Sequence, residues 1–265
     1  MAFLKYEYRM VIRYSEPVAK CYFTIKSMPK EDFRQREISH DISMTPSAQY
    51  STSNDSFGNE QIIGCVNSPH DEYDYIIRGL VETQNTNIAS GVEDRLVGMY
   101  KYPHGKCIPG DAIKAFAGEM AEDVNACASV KEKSLMIMSR LNERMTYEPG
   151  STEVETSAEE AFQKQKGVCQ DFSHIYICLL RHFGIPARYV CGLIVGEGAS
   201  HAWVEAVCDG NYLAFDPTHN REVTDEYIKF GVGRDALDCA INRGVMWGGG
   251  KQTQEVNVTV EKTYE

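Results

Sequence analysis

The chain has 265 residues, 43% of them hydrophobic, and a formal net charge of −11. That length accommodates two modest domains or one large one, with apolar residues enough for a sizeable core. The negative balance argues against nucleic acid and against anionic membrane surfaces as partners. No apolar run approaches a membrane span, and the start, Met1-Ala2-Phe3-Leu4-Lys5-Tyr6, is no signal peptide. The nine cysteines are odd in number and include no CxxC pair, which points to reduced thiols in a cytoplasm. HExxH, P-loop and GxGxxG patterns are absent, so neither a metal nor a cofactor is expected. The oligomeric state is left open.

Taken in chain order, the first segment is strand-like. Leu4, Tyr6, Tyr8, Met10, Ile12 and Tyr14 alternate with Lys5, Glu7, Arg9 and Arg13, predicting a half-buried strand that stops before Pro17. Cys21 to Ile25, Ile38 to Met44, Gln61 to Val66 and Tyr73 to Ile77 are further short strands, with turn chemistry at Asn54 to Asn59. Short strands separated by turns predict an all-β sandwich over residues 1–83. It carries no nucleophile, base and orienter together, so it reads as scaffold. Residues 84–110 are rich in turn formers and read as a connector. His104 and Cys107 there are two ligand types on a loop, which is not a metal site.

From Asp111 the period becomes helical. Ile113, Phe116, Ala117 and Met120 mark one helix; Leu135, Met138, Leu141 and Met145 mark a second. Thr156 with Glu159 reads as a capping box for a short helix through Phe162. Phe172, Ile175, Tyr176, Leu179, Leu180 and Phe183 then make one apolar stripe, preceded by Gly167 and ended by Gly184-Ile185-Pro186. Cys169 therefore opens a helix, where unpaired N–H groups and the helix dipole favour an anion. A thiol there tends towards thiolate, the form that attacks carbonyls. Gln170 and Asp171 beside it either meet substrate or cap the helix.

The next stretch supplies a base. Arg188 to Val195 reads as a strand, and Ser200 to Val207 as another. Asp209-Gly210 is a hairpin turn, and Asn211 to Asp216 is the return strand, stopped by Pro217. A two-residue turn sets Cys208 against Asn211 and Trp203 against Asp216. His201 then shares Trp203's face and lies diagonal to Asp216; a slip of two residues would set it directly opposite, again on that face. Singly, each residue has a plainer reading: Cys178, Cys191 and Cys208 are core thiols, and a strand-end Asp before Pro is usually a turn former. Together, Cys169, His201 and Asp216 suggest a thiol acyl-transfer triad. Trp203 either walls the cleft or packs. Gln254 to Val260 alternates as a strand closing the second domain, which makes residues 111–265 α+β.

Gly167-Val168-Cys169-Gln170-Asp171-Phe172, Gly184-Ile185-Pro186-Ala187-Arg188-Tyr189-Val190, His201-Ala202-Trp203-Val204-Glu205 and Phe215-Asp216-Pro217-Thr218 resemble the bacterial transglutaminase-like family. Val232-Gly233-Arg234-Asp235 and Arg243-Gly244-Val245 with Gly248-Gly249-Gly250 are similar to it as well. The resemblance implies an N-terminal β-sandwich followed by a papain-like core of helices packed on an antiparallel sheet. It also implies a triad on Cys169, His201 and Asp216. The expected activity is cysteine-dependent acyl transfer on a peptide or protein amide, by default hydrolysis because that needs only water. The rivals are a cross-linking transglutaminase with an amine acceptor, and a binding module that keeps the fold without turnover. Trp203 and Gln170 are the expected substrate-side residues.

Overall fold

The computed structural model describes residues 1–92 and 94–263. In chain order the first elements are β1 (Ala2–Ile25), β2 (Gln35–Thr45), β3 (Gln49–Asn54), β4 (Glu60–Val66), β5 (His70–Thr83), β6 (Ile88–Gly91) and α1 (Asp94–Tyr100). The helical part follows as α2 (Asp111–Glu119), α3 (Ala121–Ala126), α4 (Val130–Arg144), β7 (Thr146–Tyr147), α5 (Ala158–Lys164), β8 (Lys166–Gly167) and α6 (Cys169–His182). The last part is β9 (Ala187–Ile194), β10 (Gly196–Gly198), β11 (His201–Cys208), β12 (Asn211–Asp216), β13 (Arg221–Glu222), β14 (Tyr227–Gly233), β15 (Asn242–Gly248) and β16 (Gln252–Thr263).

The N-terminal part is organised on β1. Its alternation buries Leu4, Tyr6, Tyr8, Met10 and Ile12 on one face. Tyr6 and Tyr8 both meet the edge of Phe230 from β14 at 6.1 Å, so the aromatic stripe is core and joins the two halves of the chain. β1 does not end before Pro17. It runs on to Ile25, and its pairing with β5 shifts register between Arg13 and Val18. A residue without an N–H is tolerated at such an irregularity because no ladder bond is demanded of it. The first stretch of β1 lies between β16 and β5, the second between β15 and β4. The expected sandwich is thus one eight-stranded sheet bent across β1, with Phe23 of the second stretch packed 5.3 Å from Tyr73 of β5.

Two expectations about the chain's division need correcting. β16 closes the N-terminal sheet, not the second domain, pairing with β1 from Phe3–Thr263 to Tyr14–Gln252. β15 joins the same sheet, while β6 from the connector pairs with β12 of the second sheet. The capping box is also displaced by one residue: Ser157 and Glu160 cap α5, while Glu159 accepts the amides of Gly110, Ala112 and Ile113 at the start of α2. Both neighbours in sequence are acidic, so only the rotation of the first turn decides which one faces back.

The second sheet is ordered β13-β12-β11-β9-β14, and α6 packs across β9 and β11. Phe172, Ile175, Tyr176, Leu179 and Leu180 are buried, as their spacing predicts, and the Tyr176 hydroxyl donates to the Ser134 carbonyl of α4 at 2.8 Å. Cys178, Cys191 and Cys208 are buried core thiols.

Behind the sheet lies a buried ionic cluster. Glu205 of β11 receives Arg188 of β9 at 2.6 Å on one oxygen and Lys229 of β14 at 2.9 Å on the other. Lys229 also pairs with Asp32, which ties the cluster to the N-terminal part. Burial alone would raise the Glu205 carboxyl, but Lys229 and Arg188 bring it down to about 2. Removing this carboxylate leaves the buried Arg188 without its ionic partner and Lys229 with Asp32 alone, and breaking a buried pair costs about 3–5 kcal/mol in comparable sites. Glu205→Ala should therefore lower Tm by roughly 6–20 °C in a chain of this size. A melting curve displaced by only a degree would show that the cluster does not stabilise the fold.

Candidate active site

Cys169 is the first residue of α6, with Val168 as N-cap in extended conformation. The entry is tightly built. The Asp171 carboxylate folds back to accept the Val168 amide at 2.8 Å and the Thr152 hydroxyl at 2.6 Å. A side chain on Gly167 would meet Asp171 Cβ at 2.6 Å, so only glycine fits before the cysteine. Asp171 thus caps the helix and fixes where the thiol emerges. Gln170 is part-exposed, with its amide 3.4 Å from the Val154 carbonyl. The phenol of Tyr147, half-exposed on β7 and paired with Gly167, is raised by partial burial and by the neighbouring Cys169.

The hairpin forms in the register the two-residue turn predicts. Asp209 and Gly210 both take positive φ, 50° and 80°, the conformation that favours Asp-Gly. Cys208 pairs with Asn211 and Val204 with Phe215, which carries Trp203 opposite Asp216 and leaves His201 diagonal to it on the same face. The diagonal is bridged: His201 Nε2 lies 2.8 Å from Asp216 Oδ2. Cys169 neighbours the imidazole and acts on it electrostatically, and with Nε2 on Asp216 it is Nδ1 that remains for the thiol. The structure therefore brings Cys169, His201 and Asp216 together. Trp203 has no exposed surface and packs 6.3 Å from the His201 ring, so it supports the imidazole from beneath and does not wall a cleft. Gly192, paired with His201 across β9 and β11, makes room for that indole; a Cβ there would come within 2.7 Å of the ring.

Asp216 satisfies both readings of a strand-end aspartate, one with each oxygen. Oδ1 accepts the amides of Thr218 and His219 at 3.0 and 3.2 Å, which forms the turn. Oδ2 faces the imidazole. It also receives the Tyr227 hydroxyl at 2.7 Å and His219 Nδ1 at 2.8 Å. Burial by itself would raise this carboxyl, but His201, His219 and Tyr227 hold it well below the usual carboxylate range. Burial would likewise lower His201, yet the Asp216 carboxylate and the neighbouring Cys169 push it up to about 9. An imidazole kept protonated beside a thiol can stabilise a thiolate and deliver a proton to a leaving group.

His219, Tyr227 and Arg221, whose Nε donates to the Tyr227 hydroxyl at 2.9 Å, were not legible as site residues. Tyr227 arrives on β14, which pairs with β9 and not with the hairpin. The local signal is the short strand-like run Tyr227-Ile228-Lys229-Phe230, broken by Gly231 and Gly233. His174, one turn along α6, belongs elsewhere: it is buried, accepts the Ala236 amide at 3.1 Å, and is held neutral by burial, down to about 3.

Comparison with known proteins agrees with this architecture. Residues 4–82 match the bacterial transglutaminase-like N-terminal region and residues 114–217 match the transglutaminase-like superfamily. An uncharacterized protein of Mycobacterium leprae is 30% identical over 271 residues, covering 94% of both chains. An uncharacterized protein of Mycobacterium tuberculosis is 28% identical over 279 residues, covering 91% of this chain and 86% of its own. The crystal structure of a protein from Cytophaga hutchinsonii, described as a "putative cysteine protease", superposes with a TM-score of 0.81 at 20% identity, over 100% of this chain and 91% of that one. With two family regions matched in order and a relative aligned along nearly its whole length, this chain belongs to the bacterial transglutaminase-like family.

Proposed function

We propose that the protein transfers the acyl group of a peptide or protein amide to water through a thioester on Cys169. The observation that carries this reading is the His201 imidazole bound through Nε2 to the buried Asp216 carboxylate, with the Cys169 thiol as its neighbour. In this mechanism the Cys169 thiolate attacks the amide carbonyl, and the amides that open α6 receive the oxyanion. His201 gives its Nδ1 proton to the leaving amine, which departs and leaves the thioester. Water then adds to the thioester carbonyl as His201 takes its proton, and the C–S bond breaks to release the acid and restore the Cys169 thiolate beside the imidazolium. Asp216 keeps the imidazole turned so that Nδ1 faces sulfur throughout. In this reading Tyr147, exposed beside Cys169, and the part-exposed Gln170 border the substrate. Nine unbridged thiols favour a reducing compartment, in keeping with a cytoplasmic protein. No helix among the described residues is long and apolar enough to cross a membrane.

The acceptor decides between hydrolysis and cross-linking, since both share the thioester. The test is to incubate the protein with a panel of peptide amides, with and without a primary amine, and read the products by mass spectrometry. Free acid as the main product in both conditions is the expected result. Amine adducts dominating whenever the amine is present would replace hydrolysis by cross-linking. No product from any amide, with no acyl-enzyme trapped, would make the protein a binding module.

A further inference from the structure

The turn after β12 brings a second imidazole to the buried carboxylate. His219 Nδ1 and His201 Nε2 each lie 2.8 Å from the same oxygen, Asp216 Oδ2, and the Tyr227 hydroxyl lies 2.7 Å from it. A carboxylate oxygen offers two lone pairs, so three donors oversubscribe it. Asp216 and His201 are buried, whereas the His219 side chain is 47% exposed and is the one free to turn. The two imidazole nitrogens and the carboxylate oxygen all lie within 4.8 Å of one another. About a tetrahedral zinc ion, ligand atoms sit roughly 3.3 Å apart given bonds near 2.0–2.1 Å. To admit a metal the two imidazoles therefore withdraw from Oδ2 by about half an ångström, and their nitrogens, within 4.8 Å of each other, settle to about the same 3.3 Å spacing.

We propose that His201, Asp216 and His219 form a binding site for a transition-metal dication of the zinc class, and that the bound ion switches off the Cys169 thiol. Two imidazoles and one carboxylate, with water as the fourth ligand, are the donor set such an ion takes. The Tyr227 hydroxyl, held by Arg221, orients the carboxylate from outside the ligand set. The Arg221 charge opposes a dication there and limits its affinity. The effect on Cys169 follows from the tautomer. A metal on Nε2 of neutral His201 leaves the ring proton on Nδ1, facing sulfur, so the imidazole can no longer accept the thiol proton. The switching consequence rests on the proposed thiol chemistry; metal binding does not.

The test titrates zinc into chelator-treated wild type, Cys169→Ala and His219→Gln by calorimetry, with cobalt absorption reporting the ligand set. Circular dichroism and melting establish that each variant is folded. Wild type and Cys169→Ala should bind one ion with similar affinity, and the cobalt complex of Cys169→Ala should keep a four-coordinate spectrum. Losing a direct ligand in His219→Gln should weaken binding by more than the roughly 10- to 100-fold that losing an outer partner costs. Zinc should also slow iodoacetamide labelling of Cys169 in wild type, reversibly with chelator, but not in His219→Gln at the same concentration. Binding that disappears in Cys169→Ala would assign the metal to the thiol, and equal binding by His219→Gln and wild type would place it elsewhere; either overturns the site. Binding as expected without any change in labelling would retain the site and overturn the switch. Absence of turnover on amides would count against the proposed function alone.

Discussion

Cys169→Ala should abolish turnover, losing on the order of 10⁶-fold as when a hydrolase nucleophile is removed from its triad. The fold should survive, because Cys169 is only partly buried and the helix entry is held by Asp171, Thr152 and Gly167. The complementary experiment maps limited iodoacetamide labelling of the native wild-type protein at pH 6. Cys21, Cys107, Cys178, Cys191, Cys208 and Cys239 are buried, so the real competitors are Cys65 and Cys127, which are part-exposed like Cys169. Exposure alone would make the three react alike. An imidazolium partner would make Cys169 fastest, since the thiolate is the reacting form. Equal labelling of Cys65 or Cys127 would remove the basis for assigning Cys169 as nucleophile.

Asp216→Asn should lose about 10³- to 10⁴-fold in turnover, by analogy with the serine triad. The reason lies at a single oxygen. Oδ2 takes hydrogens from His201, His219 and Tyr227. If the asparagine keeps its carbonyl in the turn with the Thr218 and His219 amides, its NH₂ points at His201 Nε2. That nitrogen must then become the acceptor, the ring proton moves to Nδ1, and the imidazole can no longer draw a proton from sulfur. The same NH₂ meets the Tyr227 and His219 donors, so some stability is lost too. Melting must therefore be measured beside turnover and beside the rate of Cys169 labelling. Wild-type turnover at unchanged Tm would return Asp216 to the role of turn former. A folded variant with slow turnover and slow labelling is the expected outcome.

The elements of the candidate site lay in short stretches of sequence, and that is why they were legible. A helix start, a two-residue turn and the parity of two strands are local quantities. Gly167 before the apolar stripe placed Cys169 at the head of α6, and Asp209-Gly210 set the register that puts His201 diagonal to Asp216. The parity of the first strand likewise announced that Tyr6 and Tyr8 are core. None of this required knowledge of distant partners.

What tertiary structure alone decided involves residues far apart in the chain. β16 pairs with β1 although 248 positions separate Arg9 from its partner Asn257. An alternating strand shows which face it buries but not which edge it joins, so Gln252 to Thr263 was equally suited to either sheet. Tyr227 reached Asp216 because β14 lies beside β9, and the Glu205 cluster formed because Lys229 came with it. Trp203 shares the site's face, yet its burial depended on what the other elements laid over it. Local pattern determined the helix head, the hairpin and the three side chains they carry; packing between distant strands decided what surrounds them, because burial and charge are properties of neighbours in space.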